Sequence, residues 1–198
     1  MTNALLIIAV ATPLIFLAVM MVEGARRPDY DPSYHMASAL STGDRGWVQV
    51  ANFLQMGIGM LAFSVAINQT LDTVLGSVLV AVFGLGAIVS GLFSMDPSFG
   101  YPPGTPPGVP TRPTWQHQIH GAAGAIMFLA IFGACLAVAG RLEGGWRVYT
   151  LATAGVGITL TVSTIAASLR DASKTGLIQR ILIFVYWTWL ALLAIHLL

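Results

Sequence analysis

Charge is what this sequence has least of: only 9% of its residues are Asp, Glu, Lys or Arg, while 56% are hydrophobic. A soluble domain carries nearer a quarter charged residues, so this chain cannot solvate its own surface in water, and its solvent is a bilayer. A net charge of +1 with no basic stripe leaves nothing to neutralise phosphates, which excludes nucleic acid as a partner. The lone cysteine, Cys135, sits in an apolar stretch, has no intrachain disulfide partner and reads as a small packing residue. The apolar runs lack the alternation of barrel strands. No strand precedes any glycine-rich stretch, so no nucleotide-binding fingerprint is present either. The first apolar stretch has no basic residue ahead of it, and Glu23-Gly24-Ala25-Arg26 makes a poor cleavage site, so a retained anchor is expected rather than a signal peptide.

What is present is a series of long apolar runs, at 4–22, 47–67, 73–95, 116–140, 148–169 and 177–198, bounded by charge or by Gly and Pro. Each can span a hydrocarbon core of about 30 Å, which needs roughly 20 residues of helix. Because backbone in lipid must satisfy its own hydrogen bonds, the expectation is an all-α fold, a polytopic transmembrane bundle of six helices, with residues 1–198 as a single domain in the cell membrane. Pro13 is a candidate kink. Trp47, Trp115, Trp146 and Trp187 read as interfacial anchors. Gly84, Gly86, Gly91, Gly121, Gly124, Gly133, Gly155 and Gly157 read as sites of close helix contact.

Loops one (23–46), three (96–115) and five (170–176) fall on one side of the membrane, side A, and the short connections at 68–72 and 141–147 on side B. Loop three is so rich in Pro and Gly that it must be extended, either as a stiff cap over the helix ends or as a solvated spacer. Polar groups are costly at membrane depth and tend to face a bundle interior or a wet cavity. Here they crowd toward side A: Gln49, Asn52 and Gln55 on one face of helix two, Ser90 and Ser94 on helix three, Gln116, His117, Gln118 and His120 on helix four, Thr159 to Ser168 on helix five, and Gln179 and Arg180 on helix six. A pocket opening toward side A under loops one and three is therefore expected, with Gln49, Asn52, Gln55 and His35 as candidate ligand-binding residues. Its occupant would be a membrane lipid, another lipid-like or small apolar ligand, or a protein subunit.

Candidate chemistry lies at the same end. His117 and His120 are three apart, on one face of their helix, and with His35 form a possible ligand set for a divalent metal such as zinc, which Asp96 would complete. Haem is disfavoured, because only His196 lies on another helix, at the opposite end. Asp96 and His120 are candidates for an acid–base pair in a membrane-embedded hydrolase or isomerase, with Ser38 as a nucleophile. No complete nucleophile motif is present, so the enzyme stands as the alternative to a binding or accessory protein. A transporter has less behind it, since neither an inverted repeat nor a mid-membrane charge is visible.

The stretches Arg27-Pro-Asp-Tyr-Asp-Pro-Ser-Tyr-His-Met-Ala-Ser38, Gly91-Leu-Phe-Ser-Met-Asp-Pro97 and His120-Gly121, together with the helical plan, resemble the bacterial and archaeal membrane proteins grouped as domain of unknown function 998. The resemblance covers essentially the whole chain. It carries no established activity, but it draws attention to Ser38, Asp96 and His120. Where that family often has Glu after the Ser, this chain has Ala39, so chemistry that needed the acid would be lost or changed here. Side A carries Arg26, Arg27, Arg45, Arg112, Arg170, Lys174 and Arg180 against Arg141 and Arg147 on side B, which by the positive-inside rule puts side A in the cytoplasm. The resemblance implies the opposite arrangement for many relatives.

Overall fold

Backbone amides in hydrocarbon have only each other for partners, and the apolar runs accordingly close into helices. A computed structural model describes residues 1–198. It contains α1 (Thr2–Arg26), α2 (Gly46–Leu71), α3 (Val74–Leu92), α4 (Trp115–Ala139), α5 (Gly144–Leu169) and α6 (Thr175–His196), with a short 3-10 helix, Ala37–Ser41, in loop one. All six long helices have the length and hydropathy to cross a membrane. Their outward faces carry Ile7, Leu14, Leu85, Ile126, Leu129, Val162, Ile165 and Ile195, all exposed, a girdle that only lipid can solvate. The protein is a multi-pass membrane protein.

The ends of the helices follow from local chemistry. The α2–α3 link is two residues long: Asp72 takes a left-handed conformation (φ +46°) and Thr73 caps α3 by accepting the amide of Gly76. Thr114 caps α4 in the same way, accepting the His117 amide at 3.2 Å. Helix α3 stops at Leu92, short of the expected 95, and two carbonyls at this end, those of Ser90 and Phe93, are met by the His120 ring. Helix α1 continues unbroken through Pro13 and reaches Arg26, four residues past the expected end.

Each helix packs on its neighbours in chain order, and α6 closes the ring against α1. Glycines let α2 sit deep between two partners. Gly57 faces the Gly84 carbonyl of α3, and Gly59, two positions and about 200° further round, faces Thr12 of α1. Gly86 and Gly91 likewise abut α4 and α2. Gly121, Gly124 and Gly155 differ: a Cβ at any of them would meet no atom within 4 Å. These three are not contact glycines, contrary to the expectation drawn from their small size.

The tryptophans divide in a similar way. Trp47 and Trp115, at helix starts, are exposed as interfacial anchors should be, and Trp146 stacks on His196 with ring centroids 4.2 Å apart. Trp187 is no anchor. It lies midway along α6, 1% exposed, with its ring centroid 5.3 Å from that of Phe16, 5.2 Å from Phe83 and 6.3 Å from Phe128. An interfacial ring belongs within about a turn of a helix end, and the core claims this one.

The two glycine classes separate experimentally. Gly57→Ala forces α2 and α3 apart and is expected to cost about 1–3 kcal/mol, as overpacking does. Gly121→Ala should stay within about 0.5 kcal/mol. Reversible unfolding in bicelles measures both, and equal effects would contradict the assignment.

Candidate functional site

The side A end is built as a pinned roof. Arg180, buried near the start of α6, donates from Nη1 to the carbonyls of Pro32 (2.6 Å) and His35 (2.8 Å) and from Nη2 to the Tyr30 hydroxyl. In return loop one caps α6, since the carbonyls of Tyr34 and Ser33 accept the amides of Gly176 and Leu177. Burial pushes the Tyr30 phenol up to about 12 against the opposing pull of Arg180, so it stays a neutral donor, directed at the Met36 carbonyl 3.0 Å away. At the end of α1, Glu23 pairs with Arg27 and Arg45, and Arg27 reaches on to the carbonyls of Thr42 and Arg45.

Loop three lies over loop one as a cap. Phe99 and Tyr101 are buried, and hydrogen bonds from Phe99 N to the Gly108 carbonyl and from Gly100 N to the Pro106 carbonyl fold the loop on itself. His35 joins the two loops. Its Nδ1 accepts the Asp31 amide at 2.9 Å and its Nε2 donates to the Phe99 carbonyl at 2.9 Å. Both ring nitrogens are spent on backbone, which leaves none for a ligand.

The amide row of α2 points at α1. Asn52 Nδ2 donates to the Phe16 carbonyl (3.1 Å) and to Gln49 Oε1 (3.3 Å), and Gln55 Nε2 donates to the Thr12 carbonyl (3.3 Å) and to Asn52 Oδ1 (3.2 Å). The three form a ladder that fastens α1 to α2, and none of them lines the cavity described next.

That cavity lies between α4 and α5 beneath the roof. Its outer part, about 300 Å³, is walled by His117, His120, Gly121, Gly124, Ala125 and Phe128 of α4, by Thr161, Thr164, Ile165, Ser168 and Leu169 of α5, and by Gln179 and Leu182 of α6, with Met36, Ser38 and Met95 above. An inner part of about 50 Å³ shares Ser38, His120, Gly124, Phe128 and Gln179 and is bounded by Ser90, Ile183 and Trp187. Gly121 and Gly124 have open space beside them because they face this cavity. The rim residues Gly121, Ala125, Ile165 and Leu169 are exposed on the lipid-facing flank, so the mouth is apolar.

Hydrogen bonds to the surroundings fix what the polar lining offers. His117 Nδ1 accepts the Asp96 amide at 3.0 Å, so a neutral ring carries its proton on Nε2 as a donor. His120 Nδ1 stands 2.9 Å and 3.1 Å from the carbonyls of Phe93 and Ser90, which only accept, so the proton sits on Nδ1 and Nε2 keeps a lone pair. Gln179 Oε1 accepts the Ala37 amide at 2.8 Å, leaving its Nε2 protons uncommitted. The hydroxyls of Thr161 and Thr164 donate back to the carbonyls of Gly157 and Leu160. Trp187 Nε1 is buried and has no hydrogen-bond partner.

Of the residues singled out from sequence, Ser38, His117 and His120 thus meet in one cavity, and Asp96 does not join them there. The Asp96 carboxylate accepts the Thr114 hydroxyl (2.6 Å) and amide (2.8 Å), clamping the start of loop three to its end, at the cap of α4. The metal set is not assembled: nowhere do three His, Cys, Asp or Glu side chains stand together, and His35, His117 and His120 each commit Nδ1 to backbone. Gln179 and Trp187 are the lining residues that sequence reasoning missed as a pair. The signal for Trp187 was its position, twelve residues after the first residue of α6, too deep for an anchor.

A model of the family described as "Protein of unknown function (DUF998)" matches residues 10–196, nearly the whole chain. No curated protein and no solved structure matches.

The Asp96 clamp has a pH signature. Burial raises the carboxyl, but the two hydrogen bonds from Thr114, with His117 alongside, outweigh it and hold Asp96 below the usual carboxylate range. A folded pKa below the unfolded one gives stability that is complete above about 3.9 and is lost only as pH falls through the depressed value. The ratio of proteinase K cleavage rates in loop three, Asp96→Ala over native, should therefore be the same from about pH 8 to pH 5, with the protease's own pH response cancelling. Asp96→Ala should be cut about five-fold faster throughout, the equivalent of one lost hydrogen bond of about 1 kcal/mol. A ratio that falls steeply toward pH 5 would contradict the clamp.

Proposed function

The chain belongs to the DUF998 family of proteins of unknown function, and from that premise we propose that it is a binding or accessory membrane protein whose cavity between α4 and α5 holds a lipid-like or small apolar ligand. The observation that carries this is the cavity itself: about 300 Å³, open on the lipid-facing flank and mostly apolar, with a few polar side chains in its lining. That is near the lower end of ligand-site volumes, where an apolar wall with a few fixed polar groups is the usual design. The ligand arrives from the bilayer, since the side A face is covered by the pinned loops.

The acid–base alternative draws less support. The Asp96 carboxylate is committed to Thr114 and lies outside the cavity lining. His120 spends Nδ1 on two carbonyls. Ser38 is left with no assembled base and orienting acid of the kind a nucleophile needs.

The cell membrane is the proposed location, with side A facing the cytoplasm. Arg26, Arg27, Arg45, Arg112, Arg170, Lys174 and Arg180 on side A stand against Arg141 and Arg147 on side B to bias insertion.

Two measurements test these proposals. Native mass spectrometry of gently extracted protein should show a bound small molecule that Gly124→Leu abolishes. A Cβ at that position meets nothing within 4 Å, so the larger side chain fills the cavity and leaves the helix contacts alone. A bare wild-type protein, or an adduct that survives Gly124→Leu, refutes the site. For orientation, Arg112→Cys in intact cells should resist a membrane-impermeant maleimide, with buried Cys135 a silent background. Rapid labelling would put side A outside.

A further inference from the structure

What the cavity walls lack narrows the occupant as much as what they carry. Neither part is lined by Asp, Glu, Lys or Arg. An ionised headgroup drawn inside would lose its water and gain no counter-charge, the costliest kind of burial. The ligand that fits is therefore neutral.

Among the polar groups of the lining, one nitrogen stands apart by its polarity. His120 is half-buried and lines both parts of the cavity. Its Nδ1 is turned to the end of α3, where the carbonyls of Ser90 and Phe93 hold the ring proton. Across the ring, Nε2 is left as a lone pair with no protein partner. It keeps accessible surface, unlike the sealed atoms Gln49 Nε2, Ser98 Oγ, Tyr186 Oη and Trp187 Nε1. The other uncommitted polar groups of the lining are His117 Nε2–H, the Gln179 N–H groups and the hydroxyls of Ser38 and Ser168, all of which can donate. His120 Nε2, in the neutral ring, can only accept. An acceptor taken from water and given no donor is destabilising, so the ligand that completes this site brings a donor. An alkylamine would bring its donors as a cation and fails on charge. A hydroxyl brings one while neutral.

We propose that the cavity selects neutral, membrane-soluble alcohols, with the hydroxyl donating to His120 Nε2 and the apolar remainder leaving between α4 and α5. This rests on the ligand-binding function above and adds the chemical class of the ligand and the side chain that selects it. A hydrocarbon or an ether fills the apolar walls equally well and leaves the His120 lone pair bare.

The experiment uses the full chain in nanodiscs of phosphatidylcholine, a lipid without a hydroxyl, and compares two isomers, 1-decanol and methyl nonyl ether, at matched mole fractions in the bilayer. Both carry one oxygen, and only the alcohol carries a donor. Decanol is expected to bind about five-fold more tightly, the equivalent of one neutral hydrogen bond. It should also move the nitrogen-15 resonance of the unprotonated His120 ring nitrogen, which the ether leaves in place. His120→Asn keeps an N–H for the carbonyls of Ser90 and Phe93 and removes the Nε2 acceptor, so the two isomers should then bind alike. The comparison on the native protein needs no variant and stays decisive if His120→Asn folds poorly. Equal affinities of the native protein for the isomers overturn the alcohol assignment and leave ligand binding standing. A preference for decanol that survives in His120→Asn, or that comes with an unmoved nitrogen signal, takes selection away from His120 and overturns the proposal. Failure of both isomers to bind overturns the cavity as a ligand site altogether.

Discussion

Everything in this structure is subordinate to one rule of the lipid environment: a polar group removed from water must find a partner inside the protein. The rule explains the helices, and it explains the less obvious features equally well. The three amides of α2 ladder onto each other, and Asn52 and Gln55 reach on to the carbonyls of α1. Serine and threonine hydroxyls along α5 return to the carbonyl one turn back. His120 takes two carbonyls from the end of α3. Against so thorough a settlement, the few buried groups without partners stand out: Gln49 Nε2, Ser98 Oγ, Tyr186 Oη and Trp187 Nε1.

The same rule accounts for a rigid side A. Loop one crosses the bundle end without regular structure beyond one 3-10 turn, so its carbonyls need donors from elsewhere. Arg180 and Arg27 supply them, each serving several carbonyls from one guanidinium. Arginine suits the task because it brings five donors in a fixed fork and remains charged whatever its surroundings. The charge at the end of α1 is balanced locally, since Glu23 faces both Arg27 and Arg45. The roof is thereby fastened to α1, α2 and α6, and through the Asp96 clamp loop three is fastened to α4.

How much of this was legible beforehand depends on the range of the interaction. Helix number and approximate span follow from hydropathy over about 20 residues, a local property, and the crowding of polar residues toward side A was equally visible. Partner choice was not. Gln49, Asn52 and Gln55 share a helix face in sequence, but whether that face meets a cavity or another helix depends on where α1 packs. Gly57 and Gly121 look alike as residues, and only the neighbours distinguish a contact from a vacancy. His35, His117 and His120 offered a plausible ligand set by composition, while their hydrogen bonds run to backbone atoms that sequence does not place. The DUF998 motifs pointed to Ser38, Asp96 and His120, and the structure divides them: Asp96 holds a loop, and the other two border the cavity.

The position of the cavity in the ring follows from what closes the other seams. The α2–α3 and α1–α2 contacts are drawn tight by Gly57, Gly59 and Gly84, and the α3–α4 contact by Gly86. The α5–α6 contact has Tyr186 lying against Gly157 and Trp189 bonded to Thr150 at 3.1 Å. Between α4 and α5 the glycines on the α4 side face nothing, and the threonines on the α5 side have turned their protons inward to their own helix. A seam with small residues on one wall and self-satisfied hydroxyls on the other can open without exposing an unpaired donor to lipid. Among these five seams, this is the one where an opening costs least.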